Sequence, residues 1–235
     1  MEAVAKSYNH RNQPVTALAG VTLHIPKGDF VAVVGPSGSG KSTLLLTLGG
    51  MLSPSHGQVF LDGCSLYDLS PEQRARLRRK KIGFLFQTFN LVAYLSAIEN
   101  VQLPLFLAGM EERDQRVKAE SLLERVGLAD WLDHKPSELS VGQQQRVALA
   151  RMPANDPVVI LADEPTGSLD PDTSEDVLDF LQELNREGRT IVMVTHYPAA
   201  AQRAKRTVKL VSGRIRLDET ISTIEPARDG QKDVI

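Results

Sequence analysis

One cysteine, Cys64, stands among 235 residues, so no intrachain disulfide and no cysteine-built metal cluster is available. A reducing cytosol is the expected setting. No run approaches the roughly 18 apolar residues that crossing a bilayer requires, and the opening Met1–Lys6 lacks the apolar core of a signal peptide. Charge of neither sign prevails: 27 basic and 29 acidic side chains leave a net −2. That removes a global pull toward nucleic acid or anionic lipid, and any membrane role is expected to be peripheral. Internal repeats and low-complexity blocks are missing too, which excludes a solenoid. One local concentration of charge stands out, Arg74, Arg76, Arg78, Arg79, Lys80 and Lys81. It reads first as a solvated helix face, with lipid headgroup contact as the alternative.

What is present suits one large globular domain, with 42% hydrophobic and 24% charged residues, enough to bury a core without metal or disulfide. Val21, Leu23 and Ile25 alternate with Thr22 and His24, predicting a half-buried strand. Pro26–Asp29 then reads as a turn, and the uniformly apolar Phe30–Val34 as a central strand covered on both faces. Lys41–Leu48 is expected to be helical, and Gly57–Leu61 a short antiparallel arm. Further strands are expected at Ile82–Phe86, Val158–Ala162 and Thr190–Val194, with helices at about Glu111–Val126 and Asp172–Glu187, stopped by Gly127 and Gly188. Strands alternating with helices predict an α/β fold with a mainly parallel sheet. The strandless stretch 91–154 reads as an inserted helical subdomain, and the domain is expected to span 1–221, with 222–235 a polar tail.

The chemistry begins at Gly35-Pro36-Ser37-Gly38-Ser39-Gly40-Lys41-Ser42-Thr43, between an apolar strand and a helix. Glycines let backbone N–H groups converge on phosphate oxygens, and the helix adds its dipole. This is the P-loop pattern, Gly-x4-Gly-Lys-Ser, in which Lys41 reaches the outer phosphates and Ser42 ligates magnesium. A carboxylate at a neighbouring strand end is also needed. Val158–Ala162 ends in Asp163 and Glu164, the first suited to holding magnesium and the second to acting on the attacking water. Against these stand blander readings, chiefly a solvent-facing charge pair at a strand end.

Leu139-Ser140-Val141-Gly142-Gln143 precedes a helical stretch, with Ser140 placed as its N-cap. On this segment, together with the P-loop and Asp163–Glu164, the chain resembles the nucleotide-binding subunit of ATP-binding-cassette (ABC) transporters, from Tyr8 to Asp218. Val141 departs from the family's Leu-Ser-Gly-Gly-Gln and is expected to weaken closure slightly, valine tolerating unusual backbone angles poorly. The resemblance implies that Tyr8 stacks on adenine and that Gln87 senses magnesium and water. It also implies that Ser168–Asp170 meets the opposite subunit and that His196 contacts the γ-phosphate. It implies ATP and Mg2+ as cofactors and a head-to-tail homodimer in which Ser140, Gly142 and Gln143 face the other copy's nucleotide. Integral membrane permease subunits, and no nucleic acid, are the implied partners at the cytoplasmic face of the inner membrane. Two departures carry structural expectations. The family's first strand is longer than what precedes Tyr8, predicting an abbreviated sheet edge. Pro153 predicts that the helix after the signature ends near Met152.

Lys81–Leu91, Glu99–Leu105 and Leu161–Asp170 resemble the lipoprotein-release and macrolide-export branch. Competing readings are a cell-division relative that regulates wall hydrolases without moving solute, and a P-loop small-molecule kinase. The kinase leaves Leu139–Gln143 unexplained.

Overall fold

The structure is a computed structural model that describes residues 1–10, 13–167 and 169–220. Strands β1 (Glu2–His10) and β2 (Gln13–Val21) form a hairpin, and β3 (Phe30–Val34) leads through the glycine loop into α1 (Lys41–Leu48). Three short strands follow, β4 (His56–Gln58), β5 (Phe60–Leu61) and β6 (Cys64–Ser65), then α2 (Pro71–Lys81) and β7 (Ile82–Leu85). Helices α3 (Ala97–Leu107), α4 (Glu112–Arg125) and α5 (Val141–Arg151) make the helical subdomain. The chain returns through β8 (Val159–Asp163), α6 (Pro171–Arg186), β9 (Thr190–Thr195) and the single turn α7 (Pro198–Ala201). Strands β10 (Arg206–Val211) and β11 (Arg214–Thr220) close it.

The main sheet runs β11-β10-β3-β9-β8-β7, parallel throughout except for the antiparallel β10–β11 edge. Phe30–Val34 is therefore central, as its unbroken apolar run predicts. Alternate residues still divide between the faces. Phe30, Ala32, Ile191 and Met193 join the core under α5 and α6, whereas Val31, Val33, Val192 and Val194 pack with α1. A third cluster, with Ile98, Val101, Leu123 and Val147, holds the helical subdomain together.

Three helices begin on the same local chemistry. Ser70, Ser96 and Ser140 cap α2, α3 and α5, each reciprocated by Gln73, Glu99 or Gln143. Helix α5 stops at Arg151, with Met152 its C-cap, where Pro153 was expected to end it.

Two expectations fail on the hairpin side. Val21–Ile25 is not a strand beyond Val21; the strand lies earlier, at Gln13–Val21. The physical reason is pairing. The Met1 amine donates to the Leu23 carbonyl at 2.9 Å and Leu23 N–H to Met1 O at 3.0 Å, while the regular β1–β2 register ends at Val4↔Val21 among the described residues. Thr22–Pro26 instead border a cavity of about 800 Å3, also lined by Leu48, Ile82 and Leu161. Nor is the first strand an abbreviated edge: β1 has nine residues and lies between β2 and β4. The basic run behaves as protein surface with several groups engaged. Arg74 lies 5.0 Å over the Tyr67 ring, Arg78 donates to Gly50 O at 3.1 Å, and Lys81 pairs with Asp62 at 2.8 Å. The expected tail 222–235 lies outside the described residues.

Candidate functional site

The glycines of the loop are dictated by crowding. Gly40 has φ +102°, and a Cβ there would stand 2.2 Å from Ala17 O; at Gly35 one would stand 2.1 Å from Leu210 O and 2.8 Å from Ser39 Oγ. The loop is thus wedged between β2 and β10, and no side chain can be added at either position without moving backbone. Lys41 is 8% exposed. Its ammonium donates to Gly35 O at 2.9 Å and Pro36 O at 3.2 Å, stretched across the loop beside Ser37 and Gly38 rather than into solvent. Among the described residues the buried Ser39 Oγ has no hydrogen-bond partner, while Ser39 O accepts from Gly213 N–H at 2.9 Å.

Ser42 and Asp163, 121 residues apart, meet at the ends of α1 and β8: Ser42 Oγ donates to Asp163 Oδ1 at 3.1 Å. Burial pushes the Asp163 carboxyl above its ordinary range, the Ser42 hydrogen bond opposing this. Nearby cationic charge would relieve that cost. The pair supplies two hard oxygens of the kind magnesium accepts alongside phosphate and water. Among the described residues no cluster of three or more metal-ligating side chains exists, so a magnesium ion here would depend on phosphate oxygens for the rest of its shell. The donor set fits that ion in the presence of a nucleotide.

Glu164, next in sequence, has φ +47°. A left-handed glutamate is uncommon and costs of order 1–3 kcal/mol; here the carboxylate meets the residue that follows β9. His196 meets it, with ring Nδ1 at 2.9 Å from Glu164 Oε2 and the His196 backbone N–H at 3.2 Å from the same oxygen. Gln87 follows β7, and its amide lies against the same turn: a Cβ at Gly167 would come within 3.2 Å of Gln87 Nε2 and 3.5 Å of Glu164 Cβ. The structure therefore gathers Lys41, Ser42, Asp163, Glu164, His196 and Gln87 at the C-terminal ends of adjacent parallel strands, where open α/β sheets bind ligands.

Other expected residues lie apart from this group. Ser140 accepts from Gln143 N–H at 3.2 Å, and Gln143 Oε1 accepts from Ser140 N–H at 2.9 Å. Among the described residues no hydrogen bond joins either to the phosphate loop. Val141 is 58% exposed at the first helical position, and its backbone is not in the left-handed region. The strain argument against valine there does not apply. Asp170 caps α6, its Oδ1 taking Thr173 N–H at 3.0 Å and Oδ2 the Thr173 hydroxyl at 2.7 Å. These bonds hold its carboxyl below the usual range. A Cβ at Gly142 would sit 3.5 Å from Thr173 Oγ1, so the signature helix and the α6 cap are neighbours. Ser168 lies outside the described residues. Tyr8 stands on β1 opposite Val15, 41% exposed, with the Lys6 ammonium 5.4 Å from its ring.

Sequence reasoning missed Arg151 and Asn100. The loop after Gln87 contains two successive left-handed residues, Phe89 and Asn90. The Arg151 guanidinium holds both carbonyls, at 2.5 and 2.8 Å. Buried Asn100 shapes the next segment, donating to the carbonyls of Val92, Leu95 and Ser96 and accepting from Val92 N–H at 2.8 Å. Their sequence signals are weak, since each is one polar residue in a helix.

A sequence profile described as ABC transporter matches residues 18–167, from β2 through the P-loop and signature to the turn after Glu164. This chain belongs to the ABC transporter family. Its fold is the ABC ATPase cassette. The dimeric, post-hydrolysis structure of the ATP-binding cassette MJ0796 bound to ADP and Pi is 41% identical, with a TM-score of 0.89 over 94% of this chain and 97% of that one. An ABC transporter ATP-binding protein of Thermotoga maritima is 46% identical, covering 90% of this chain and 91% of that protein. The macrolide export ATP-binding/permease protein MacB of Hyphomonas neptunium is 47% identical over 93% of this chain but 34% of its own length. The chain thus spans about a third of the macrolide-export relatives it matches. As a family member it is an ATP-binding, ATP-hydrolysing cassette. Among the described residues no helix is long and apolar enough to cross a membrane.

Proposed function

We propose that the chain is the ATP-driven motor of a transporter in the macrolide-export and lipoprotein-release branch. It works as a head-to-tail homodimer beneath membrane-embedded permease units, at the cytoplasmic face. The observation that carries the dimer is the division of the site: the phosphate loop, Asp163, Glu164 and His196 lie together, while among the described residues Ser140 and Gln143 bond within their own helix cap. The macrolide-export relatives, named as combined ATP-binding and permease proteins, support the permease partner.

Each residue then has a task that its surroundings explain. Lys41, held by loop carbonyls, provides fixed positive charge for the outer phosphates without reorganising. Backbone N–H groups of the loop and the start of α1 receive phosphate oxygens. Magnesium, when bound through Ser42 and Asp163, neutralises phosphate charge. Glu164 accepts the proton of the attacking water, and His196 orients that carboxylate while its ring lies within reach of the terminal phosphate. Gln87 stands beside the same turn and begins the loop braced by Arg151, so phosphate occupancy is felt where the chain faces its permease. Tyr8 offers its exposed ring to the adenine. Ser140, Gly142 and Gln143 close over the nucleotide of the other copy. Only a nucleotide that binds the closed pair more tightly than the open one can drive closure.

The test is ATP turnover per chain measured across protein concentration. A composite site predicts a rate per chain that rises steeply with concentration and then saturates. A rate independent of concentration, from a species that stays monomeric, would sink the dimer. Co-purification with a multi-span membrane protein tests the permease.

A further inference from the structure

We infer that Gln145 is a positioning residue that couples the signature helix to the carboxylate of Glu164. The inference rests on the reading of Glu164 as the base proposed above. Gln145 is 1% exposed, deep beneath the turn that follows β8. Its Nε2 donates to Pro165 O at 3.3 Å. That orientation is fixed by chemistry, because only the amide nitrogen has hydrogens to offer a carbonyl. Among the described residues its buried Oε1 has no hydrogen-bond partner.

A buried acceptor left unpaired is unfavourable, and an apolar side chain of equal length would avoid it. What the amide adds over such a side chain is its bond to Pro165 O. Neighbouring residues of α5 look elsewhere. Gln144 donates to Pro136 O and Leu139 O, fastening the start of its own helix, and Arg146 pairs with Asp176 on the surface. Gln145 alone among these three reaches the Glu164 turn.

The lever is short. Ser140 and Gln145 are five residues apart on one capped helix, roughly 7 Å along its axis. Pro165 adjoins Glu164, whose left-handed backbone is otherwise held by its own N–H on Val194 O and by Gly167 N–H on Glu164 O at 3.0 Å, while His196 holds its carboxylate. A shift of α5 as Ser140 engages the opposite nucleotide is transmitted through the Gln145 amide to Pro165, and so to the carboxylate. The signature thereby helps set the base on its own chain's nucleotide as well as closing over the other's.

Gln145→Met in the full-length chain tests this, with Gln145→Leu as a second variant of smaller volume. The expected result is at least a tenfold fall in kcat with KM for ATP and Tm unchanged, or Tm raised. Combined with Glu164→Gln, Gln145→Met should still form the ATP-bound dimer, since closure precedes the step that is lost. Unchanged kcat in both variants overturns the proposal. So does a fall in kcat that merely tracks a fall in Tm, which would make Gln145 a packing residue. Glu164→Gln alone is assayed alongside: full turnover there removes the base itself. Loss there with normal Gln145→Met removes only the coupling.

Discussion

Glu164 and His196 are joined twice through one oxygen, Oε2 lying 2.9 Å from the ring Nδ1 and accepting the backbone N–H at 3.2 Å. They leave the ends of β8 and β9, strands paired in register from Val159↔Thr190 to Asp163↔Val194. That register, and the left-handed backbone of Glu164, bring them together across 32 residues. The carboxylate is thereby held by two contacts of the protein's own.

Glu164→Gln should lower turnover by about 10²-fold or more, the usual worth of a positioned general base. The ATP-bound dimer should accumulate, because the amide is nearly the same shape and binding is untouched. Light scattering with ATP and Mg2+ checks this. A variant that stays monomeric and hydrolyses normally would count against the whole site.

Ser140→Arg should abolish turnover while leaving ATP binding by the monomer nearly intact, because among the described residues Ser140 makes no hydrogen bond to its own phosphate loop. Loss of the cap costs about 1 kcal/mol, seen as a Tm lower by about 2–4 °C. Mixing these chains with Lys41→Ala chains should restore part of the activity, since each mixed dimer contains one intact site. Binding lost as fully as in Lys41→Ala would contradict a shared site.

Gly40→Ala should fail for two reasons, a Cβ 2.2 Å from Ala17 O and φ +102°. Strain alone costs about 1–3 kcal/mol, and ATP affinity should fall at least tenfold. Gly188→Ala is the control, with φ +95° but nothing within 4 Å. It should lower Tm yet keep ATP affinity, measured by calorimetric titration. Equal loss of affinity in both would show that crowding against β2 does not shape the loop.

Tyr67 fastens the end of α1 to the following turn, donating to Thr47 O and Leu52 O, each at 2.7 Å. Tyr67→Phe should cost about 1–2 kcal/mol, measured by denaturant titration. Burial pushes its phenol up to about 12. The folded state thus keeps a proton that the unfolded state releases near pH 10, so this contribution is complete below about 10 and is lost as pH rises toward 12. The difference between wild type and Tyr67→Phe should shrink over that window. A difference constant from pH 9 to 12 would contradict the assignment.

Much of this was legible because it is local. Lys41–Leu48 is a helix with the expected bounds and Phe30–Val34 a strand, since an unbroken apolar run followed by glycines admits few alternatives. The Ser-x-x-Gln pattern at Ser140 announced its own cap. The hairpin was not legible. Gln13–Val21 has no clear alternation, and its strand exists because β1 and β4 pair into one sheet with it. Val21–Ile25 alternates well but lacks a ladder partner past Leu23.

The sequence by itself determined the phosphate loop, the acidic strand end, the signature and the alternation of strands and helices between Phe30 and Val194. Each follows from residue type and spacing within a few turns of chain. Only the tertiary structure decided that Ser42 meets Asp163, that His196 grips Glu164, and that Gln145 reaches Pro165 with one oxygen unanswered. Those relations depend on which strands lie side by side and in what register, and hydrogen bonds between distant segments leave no period in the sequence to read.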